Sequence, residues 1–219
     1  MMKLQPHSRL LFIGDSITDC GRRFPVGEGA FDQALGDGFV SLVDAALTAV
    51  YPDYAIHTIN MGISGNTIRD LKARWQTDVL DLQPDWLVIK IGINDVWQHL
   101  SQTFWSGQNI SLAEYAQTLD QLVLQTRSRL RGLIVMTPYF LDLDHQEPMR
   151  VMMDRFGAAA KEVAARHQAL LADTQAAFDV ALQSMDPMQL AMDHVHPNLV
   201  GHMILARAFL REIKFAWER

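Results

Sequence analysis

The sequence predicts a single α/β domain in which helices cover both faces of a five-stranded parallel sheet, giving three layers. Two patterns favour this fold. Short apolar runs alternate with longer segments in which apolar residues recur every three or four positions, as is typical of strands linked by helices. Several apolar runs also end in a glycine that is followed by polar residues. We expect the strand order 2-1-3-4-5, because it places the first strand beside a topological switch point, where ligands bind in such sheets.

Each predicted strand is a short apolar run between glycine, proline or polar residues. The strands are expected at residues 10–13, 55–61, 86–91, 132–136 and 169–172. The third is apolar throughout except for Lys90. Continuous apolar runs are typical of parallel strands that are buried on both faces, so all of these strands are assigned to one buried sheet.

The predicted helices are recognised by their periodicity and their end signals. They are expected at residues 38–50, 67–82, 111–130, 148–167, 175–186 and 199–215. Ser111 and Glu114 form a capping box, and Pro148 suits a first helical turn. Residues 20–37, 96–110 and 140–147 are expected to be loops, and long loops in a compact domain are uncommon unless they serve a function.

Composition excludes several classes of protein. The 219 residues carry a net charge of −6 with no basic block, which argues against a nucleic-acid partner. Cys20 is the one cysteine, so no intrachain disulfide forms, and a reducing compartment is expected. The first apolar run, at residues 10–13, is too short for a signal-peptide core or a membrane span. We therefore expect a cytoplasmic protein with no membrane partner.

The stretch from Gly14 to Thr18 directs attention to Ser16. An apolar strand ends there in Gly-Asp-Ser, which places a hydroxyl at the crevice beyond the strand ends. A serine becomes a strong nucleophile only when a base removes its proton. Thr18 stands where the nucleophile elbow of α/β-hydrolases has its last glycine, so that motif is absent. The alternative reading of Ser16 is a polar cap at a turn.

Asp193 and His196 supply the missing base. They lie three residues apart in one turn, so the carboxylate can orient the imidazole towards a hydroxyl, as in a Ser-His-Asp triad. The alternatives are a helix N-terminus capped by Asp193, or a metal site that adds His194 and His202. Neither a cysteine nor a further carboxylate lies near this cluster in the sequence, so no metal and no cofactor is expected.

Acyl transfer also needs hydrogen-bond donors for the developing oxyanion. Gly62 and Asn94 follow the second and third predicted strands. A glycine amide permits close approach, and an asparagine side chain is a neutral donor. We expect the oxyanion hole to consist of the Gly62 amide, the Asn94 side chain and the Ser16 amide. The alternatives are a turn glycine and a loop asparagine.

These four stretches resemble, in order, the four blocks of the SGNH (GDSL) hydrolase family. The quoted blocks are Gly14-Asp15-Ser16, Gly62, Gly92-x-Asn94-Asp95 and Asp193-x-x-His196-Pro197, and the resemblance spans residues 12–202. It implies a flavodoxin-like three-layer fold and metal-free ester hydrolysis, with Ser16 as nucleophile, His196 as base and Asp193 as its orienting acid. The stretches around Ser16, Gly62 and Asn94 are most similar to the acetylxylan esterases among carbohydrate esterases.

One position departs from that branch, whose members often carry tryptophan before the catalytic aspartate, where this chain has Met192. This substitution weakens the expectation of sugar stacking there. Substrate contacts are nevertheless expected among a small set of residues near the predicted site. These are Asp15, Trp97, Trp105, Tyr139 and Met192.

The sequence thus predicts a serine esterase that removes acetyl groups from acetylated saccharides, with imported xylo-oligosaccharides favoured. One alternative is a lipase- or thioesterase-like hydrolase of longer acyl esters, and another is a non-catalytic binding domain of the same fold. The apolar segment 213–217 near the end of the chain suggests a homo-oligomer, with packing on the protein's own core as the equal alternative.

Overall fold

The computed structural model describes residues 1–29, 33–100 and 109–218. Within these ranges, six strands form one sheet in the order β2-β3-β1-β4-β5-β6. The strands are β1 (Arg9–Gly14), β2 (Gly27–Glu28), β3 (His57–Gly62), β4 (Trp86–Lys90), β5 (Gly132–Met136) and β6 (Leu170–Ala172). All neighbouring pairs are parallel except β2 with β3, which are antiparallel.

The predicted five-stranded parallel sheet and its order are confirmed, because β3-β1-β4-β5-β6 is the expected 2-1-3-4-5. The additional strand is β2, which lies within the segment 20–37 that was predicted to be a loop. Only two residues long, β2 pairs Gly27 with Asn60 and Glu28 with Ile59. A run this short carries no readable alternation of apolar and polar residues, which is why the sequence did not indicate it.

Eight α-helices fall within the described residues. They are α1 (Ser16–Asp19), α2 (Phe39–Val50), α3 (Ile68–Trp75), α4 (Ile93–Leu100), α5 (Leu112–Arg127), α6 (Pro148–Arg166), α7 (Thr174–Leu182) and α8 (Leu199–Glu212). Helix α8 packs on α2 and α7, whereas α5 packs on α3 and α6, and α6 also contacts α4. These two groups form the outer layers around the sheet, as predicted.

Several helices differ from the prediction, and α7 and α8 end at Leu182 and Glu212, earlier than expected. Helix α4 occupies residues 93–100, part of which was expected to be irregular. Helix α3 ends at Trp75 and continues as one π-helical turn, Gln76–Leu80. Helix α5 ends at Arg127, three residues early. Apart from α4, which is a short helix that was not predicted, each difference lies at an element end, where hydrogen bonding and packing decide the boundary more than side-chain periodicity does.

The core explains why the central strands are uninterrupted apolar runs. Leu10 to Ile13 are fully buried, and the Phe12 ring packs against Phe39 of α2 and Phe209 of α8, with centroids 5.7 and 5.2 Å away. Full burial of such side chains stabilises the fold by about 1.5–3 kcal/mol each. Trp75 and Trp86 are buried as well, as their periodic positions predicted.

The register of the central strands determines where the following loops meet. Gly14 at the end of β1 pairs with Gly62 at the end of β3 and with Lys90 at the end of β4. The segments after these strands therefore leave the sheet side by side at its carboxyl edge. A search of the described residues for membrane-spanning helices finds none that is long and apolar enough.

Candidate active site

Ser16 is the first residue of α1, directly after β1. The N-cap is Asp15, whose Oδ1 accepts a hydrogen bond from the Ile17 amide at 3.0 Å. An amide in the first turn of a helix has no partner within that helix, and the Ser16 N–H has no acceptor among the described residues. The turn after β1 thus presents a hydroxyl and a backbone donor at the same point.

Ser16, His196 and Asp193 form a continuous hydrogen-bonded chain. Ser16 Oγ lies 2.9 Å from His196 Nε2, and His196 Nδ1 lies 2.6 Å from Asp193 Oδ2. A carboxylate can only accept a hydrogen bond, so Nδ1 is the donor, and Nε2 of the neutral ring is left to accept from the serine hydroxyl. The structure therefore brings the three predicted residues together in the order that a triad requires.

Hydrogen bonds hold Asp193 in its charged form. Partial burial works to raise its pKa, but hydrogen bonds from the His196 side chain and from the amides of Val195 and His196 outweigh this, and the pKa is lowered. The two amides donate to Oδ1 at 3.0 and 2.8 Å. The carboxylate is thus ionised at neutral pH and fixed in direction, as an orienting acid must be.

The loop that carries Asp193 and His196 is tied to the segment after β5. The Leu141 amide donates to the His194 carbonyl at 3.0 Å, and the Tyr139 hydroxyl donates to the Val195 carbonyl at 2.9 Å. Tyr139 is fully buried, so its bond is shielded from water. These anchors explain how two residues near the end of the chain are held against Ser16.

Asn94 lies in the first turn of α4, just beyond the end of β4. Its Nδ2 donates to the Asn66 carbonyl at 2.9 Å, which fixes the plane of the carboxamide. An amide nitrogen carries two hydrogens, so one N–H of Asn94 remains available to a ligand. This arrangement agrees with the prediction that Asn94 is a side-chain donor.

The structure gives Gly62 a different role from the predicted one. Its amide already donates to Asn60 Oδ1 at 2.9 Å, so it is not available to an oxyanion. Position 62 requires glycine for a steric reason, because a Cβ there would lie 2.1 Å from the backbone nitrogen of Asp19. The prediction of Gly62 as an oxyanion donor is therefore corrected: this residue lets the turn after β1 pack directly on β3.

Gly65 is the residue that the sequence analysis missed. The amides of Ile63 and Ser64 donate to the Gly14 carbonyl and to Asp19 Oδ2, and the Asn66 amide donates to the Ile63 carbonyl. Among the described residues, the Gly65 amide has no hydrogen-bond acceptor. Its φ of +83° is a conformation that glycine adopts readily. The available signal was the Gly-x-x-Gly spacing, in which the second glycine opens the turn before α3.

The predicted substrate contacts fall into three groups. Trp97 is half-buried with its ring centroid 6.1 Å from that of His196, and Met192 is 81% exposed next to Asp193, so both lie at the site. Asp15 and Tyr139 are fully buried, and the prediction that they contact substrate is corrected, since both are structural supports. Trp105 lies outside the described residues.

Charged groups are buried beneath the site. Burial raises the pKa of Asp15, although the nearby Lys90 ammonium acts in the opposite direction, and burial lowers the pKa of Lys90. The Lys90 ammonium also lies over the Tyr139 ring, 4.6 Å from its centroid. Asp95, next to Asn94, accepts from the Ile68 amide at 3.0 Å, and its burial raises the pKa to about 7.

The histidines considered for a metal site face different partners. His202 accepts from the Phe39 amide through Nδ1 at 3.2 Å, and its Nε2 lies 3.4 Å from Cys20 Sγ. His194 bonds the Leu141 carbonyl, and His196 bonds Asp193. Within the described part of the chain, no group of three histidine, cysteine or acidic side chains is arranged to hold a metal ion.

Comparison with known proteins identifies the family. Residues 12–204 match the model of the GDSL-like lipase/acylhydrolase family. The chain belongs to this family. As the sequence predicted, it is a carboxylic ester hydrolase.

Individual relatives resemble the chain over its full length. It is 52% identical over 218 residues to an acetylxylan esterase from Geobacillus stearothermophilus, covering 100% of this chain and 99% of the relative. The crystal structure of Axe2, an acetylxylan esterase from the same organism, superposes with a TM-score of 0.97 at 52% identity and the same coverage. Catalytic mutants of Axe2 with a serine, an aspartate or a histidine replaced by alanine superpose with TM-scores of 0.96–0.97. LAE5, an α/β-hydrolase enzyme from a lake metagenome, matches with a TM-score of 0.94 at 44% identity, covering 98% of each chain.

Replacing Gly62 by alanine tests its steric role. We expect Gly62→Ala to lower the free energy of unfolding by at least about 3 kcal/mol, because the added methyl group meets backbone that cannot move aside. Gly157→Ala is the matched control, since nothing lies within 4 Å of a Cβ at that helical position, and it should stabilise the protein by about 0.5–1 kcal/mol. Urea unfolding measures both, and equal stabilities of the two variants would contradict this account.

The buried His202 makes stability depend on pH. Burial, with Lys90 and His196 nearby, lowers its pKa from 6.5 to about 4. In the unfolded chain His202 is protonated below about pH 6.5. In the folded chain it becomes protonated only below about pH 4. Stability present above this window is lost as pH falls through it, by up to about 1.4 kcal/mol per pH unit.

We expect His202→Asn to weaken this dependence, because asparagine does not titrate. Urea unfolding of wild type and variant at pH 7 and pH 5 measures the effect. Wild type should lose more stability than the variant between the two pH values, and parallel losses would show that His202 does not titrate in this way.

Proposed function

We propose that the chain is a serine esterase that removes acetyl groups from acetylated saccharides, with xylo-oligosaccharides as the favoured class. The observation that carries this proposal is the hydrogen-bonded chain from Ser16 through His196 to Asp193. It lies beside donors at the carboxyl edge of the sheet, where α/β proteins bind their ligands.

In the proposed acylation step, Ser16 Oγ attacks the ester carbonyl carbon while His196 Nε2 takes the hydroxyl proton. Asp193 stays ionised and stabilises the imidazolium that forms. His196 then passes the proton to the sugar oxygen as the carbon–oxygen bond breaks. An acetyl group remains on Ser16, and the deacetylated saccharide leaves.

The proposed deacylation step reverses these roles. His196 takes a proton from water, the hydroxide attacks the acetyl carbonyl, and the proton returns to Ser16 Oγ as acetate is released.

The oxyanion of both steps is assigned to three donors: the amides of Ser16 and Gly65 and the free N–H of Asn94. Each comes from the segment that follows one of the central strands β1, β3 and β4. Neutral donors held in place before the reaction stabilise the developing charge without reorganisation. In this assignment, Gly65 replaces the Gly62 of the sequence-based prediction.

The acetyl-saccharide substrate is supported by similarity and by one aromatic side chain. Related chains with 52% identity are acetylxylan esterases. Trp97 lies close enough to His196 to offer a ring face to a sugar bound at the triad. A cytoplasmic location, proposed from the single cysteine, favours short imported oligosaccharides over polymeric xylan.

A hydrolase of longer acyl esters is the second candidate, and the surface around the triad favours it. Met192, Leu199 and Val200 flank the catalytic loop and are 81%, 64% and 50% exposed. Exposed apolar side chains beside a triad are suited to an acyl chain.

The C-terminal segment supports an oligomer of this chain. Ile213 is buried and Phe215 packs on Tyr51 with ring centroids 5.3 Å apart, so these two residues pack on the protein's own core. Trp217 is 60% exposed, and it borders a groove of about 580 Å³ between α7 and α8. We propose that Trp217 contributes to an interface between copies.

Sedimentation velocity tests this interface. Wild type should sediment as an oligomer, and Trp217→Ala should shift it towards smaller species, because the substitution removes the exposed apolar ring. Leu124→Ala is the control, since Leu124 is 64% exposed on α5, away from this groove. A monomer mass for wild type would remove the oligomer proposal.

Acetate release from acetylated xylo-oligosaccharides tests the enzymatic proposal directly. We expect Ser16→Ala to lower turnover by about 10⁴-fold or more, because the nucleophile is lost. Asn94→Ala should cost about 10²- to 10³-fold, as expected for one oxyanion donor. Serine-independent acetate release would contradict the mechanism.

The same preparations, assayed on p-nitrophenyl esters of two to eight carbons, separate the two substrate classes. Serine-dependent deacetylation with little cleavage of the eight-carbon ester supports the acetyl-saccharide assignment. Efficient cleavage of long esters without saccharide deacetylation keeps the triad and moves the substrate to acyl lipids or thioesters.

A further inference from the structure

Arg74, in the last turn of α3, binds three segments that surround the proposed oxyanion hole. Its Nε donates to Asn66 Oδ1 at 2.8 Å. One terminal nitrogen donates to the Met61 carbonyl at 2.7 Å, and the other donates to the Gly14 carbonyl at 3.0 Å. One planar group therefore joins the ends of two strands to the turn between β3 and α3.

Two partners of Arg74 are close in the chain to proposed donors, and a third, Met61, lies near the end of the strand that precedes Gly65. Gly14 precedes the turn whose first helical residue is Ser16. Asn66 follows Gly65, and its carbonyl accepts the hydrogen bond that orients Asn94. The guanidinium thus touches the supports of all three donors without touching the triad.

We propose that Arg74 is a positioning residue that sets the distances between the three oxyanion donors. This inference rests on the proposed function, because it assigns a role relative to that oxyanion hole. Arg74 acts through Gly14, Met61 and Asn66, so it contacts neither substrate nor nucleophile. Its removal should loosen donors that must be fixed within a fraction of an ångström.

The site requires arginine because of its geometry and its shielding. A guanidinium has five N–H donors in a rigid plane, and four of them are used here, since Asp78 accepts the fourth at 2.7 Å. The side chains of Arg74 and Asp78 are only 13% and 16% exposed. A lysine has a single flexible ammonium and cannot reach three acceptors that lie along the edge of a plane.

The test separates positioning from simple structural support by a double-mutant cycle with Asn94. The variants are Arg74→Lys, Asn94→Ala and the double variant, assayed on p-nitrophenyl acetate. Arg127→Lys is the matched control, because the Arg127 guanidinium also bonds two backbone carbonyls, of Leu130 and His167. These bonds lie near the start of β5, at the amino end of the strands, whereas the proposed active site lies at their carboxyl ends.

We expect Arg74→Lys to lower kcat about 10- to 100-fold, since small misplacements of catalytic groups have effects of this size. KM should change by less than about threefold, because the donors act mainly in the transition state. In the Asn94→Ala background, the same substitution should cost clearly less than in the wild type, because only the Ser16 and Gly65 amides remain to be misplaced and sites that act as one unit are not additive. Arg127→Lys should lower stability and leave kcat unchanged.

Three results would overturn the inference. The first is an equal loss of activity from Arg74→Lys in the wild-type and Asn94→Ala backgrounds. The second is an effect of Arg74→Lys on KM alone. The third is that Arg74→Lys and Arg127→Lys have the same kinetics. If Arg74→Lys does not fold, Asn66→Ala takes its place, because it removes one arm of the network and keeps the carbonyl that binds Asn94. It should show a smaller loss that is again reduced in the Asn94→Ala background.

The cycle also distinguishes this inference from the proposed function. Full activity of Asn94→Ala alone would contradict the oxyanion hole itself. A large loss from Asn94→Ala together with an additive effect of Arg74→Lys would leave the oxyanion hole intact and reject only the positioning role.

Discussion

The parallel register of β1, β3 and β4 is the constraint on which the site depends. Because Gly14 pairs with both Gly62 and Lys90, three chain segments leave the sheet within neighbouring strand spacings, about 4.8 Å apart. The hydroxyl of Ser16, the turn at Gly65 and the side chain of Asn94 come from these three segments. A one-residue shift of β3 would move each of its side chains to the opposite face of the sheet and separate the donors, so core packing and donor geometry depend on the same register.

The triad adds a long-range requirement to this local one. Ser16 and His196 lie 180 positions apart in the chain, and the hydrogen bond between them is too weak to bring the two ends together. The last loop is instead fixed by the buried Tyr139 hydroxyl and by helix α8, which packs on α2 beside β1. Packing of the hydrophobic core therefore brings Ser16 and His196 together, and the hydrogen bond between them forms as a consequence.

The sequence was sufficient to predict the parallel sheet, its strand order and the three side chains, Ser16, His196 and Asp193, that the structure joins by hydrogen bonds. These follow from apolar periodicity and from residues near strand ends. The sequence did not distinguish Gly62 from Gly65, because both glycines follow one strand and only the hydrogen bonding separates them: the Gly62 amide is satisfied by Asn60. Asp15 and Tyr139 were mistaken for contacts because a pattern indicates proximity to a site, not the direction in which a side chain points. Arg74 gave no signal, since its three acceptors come from separate segments.

The titratable groups buried under the site, Asp15 and Lys90, lower the stability of the fold, and their position indicates why they are present. Asp15 and Lys90 are fully buried, and each has a pKa shifted by burial in the direction that favours its neutral form. Replacing such a pair by apolar side chains often stabilises a protein, so stability alone does not account for it. Asp15 caps the helix turn that carries Ser16, and His196 is close enough to influence its pKa. Because this cap fixes the first turn of α1, it also fixes the direction of the Ser16 hydroxyl. The two buried groups thus lower folding stability, and Asp15 in return holds the Ser16 turn in position.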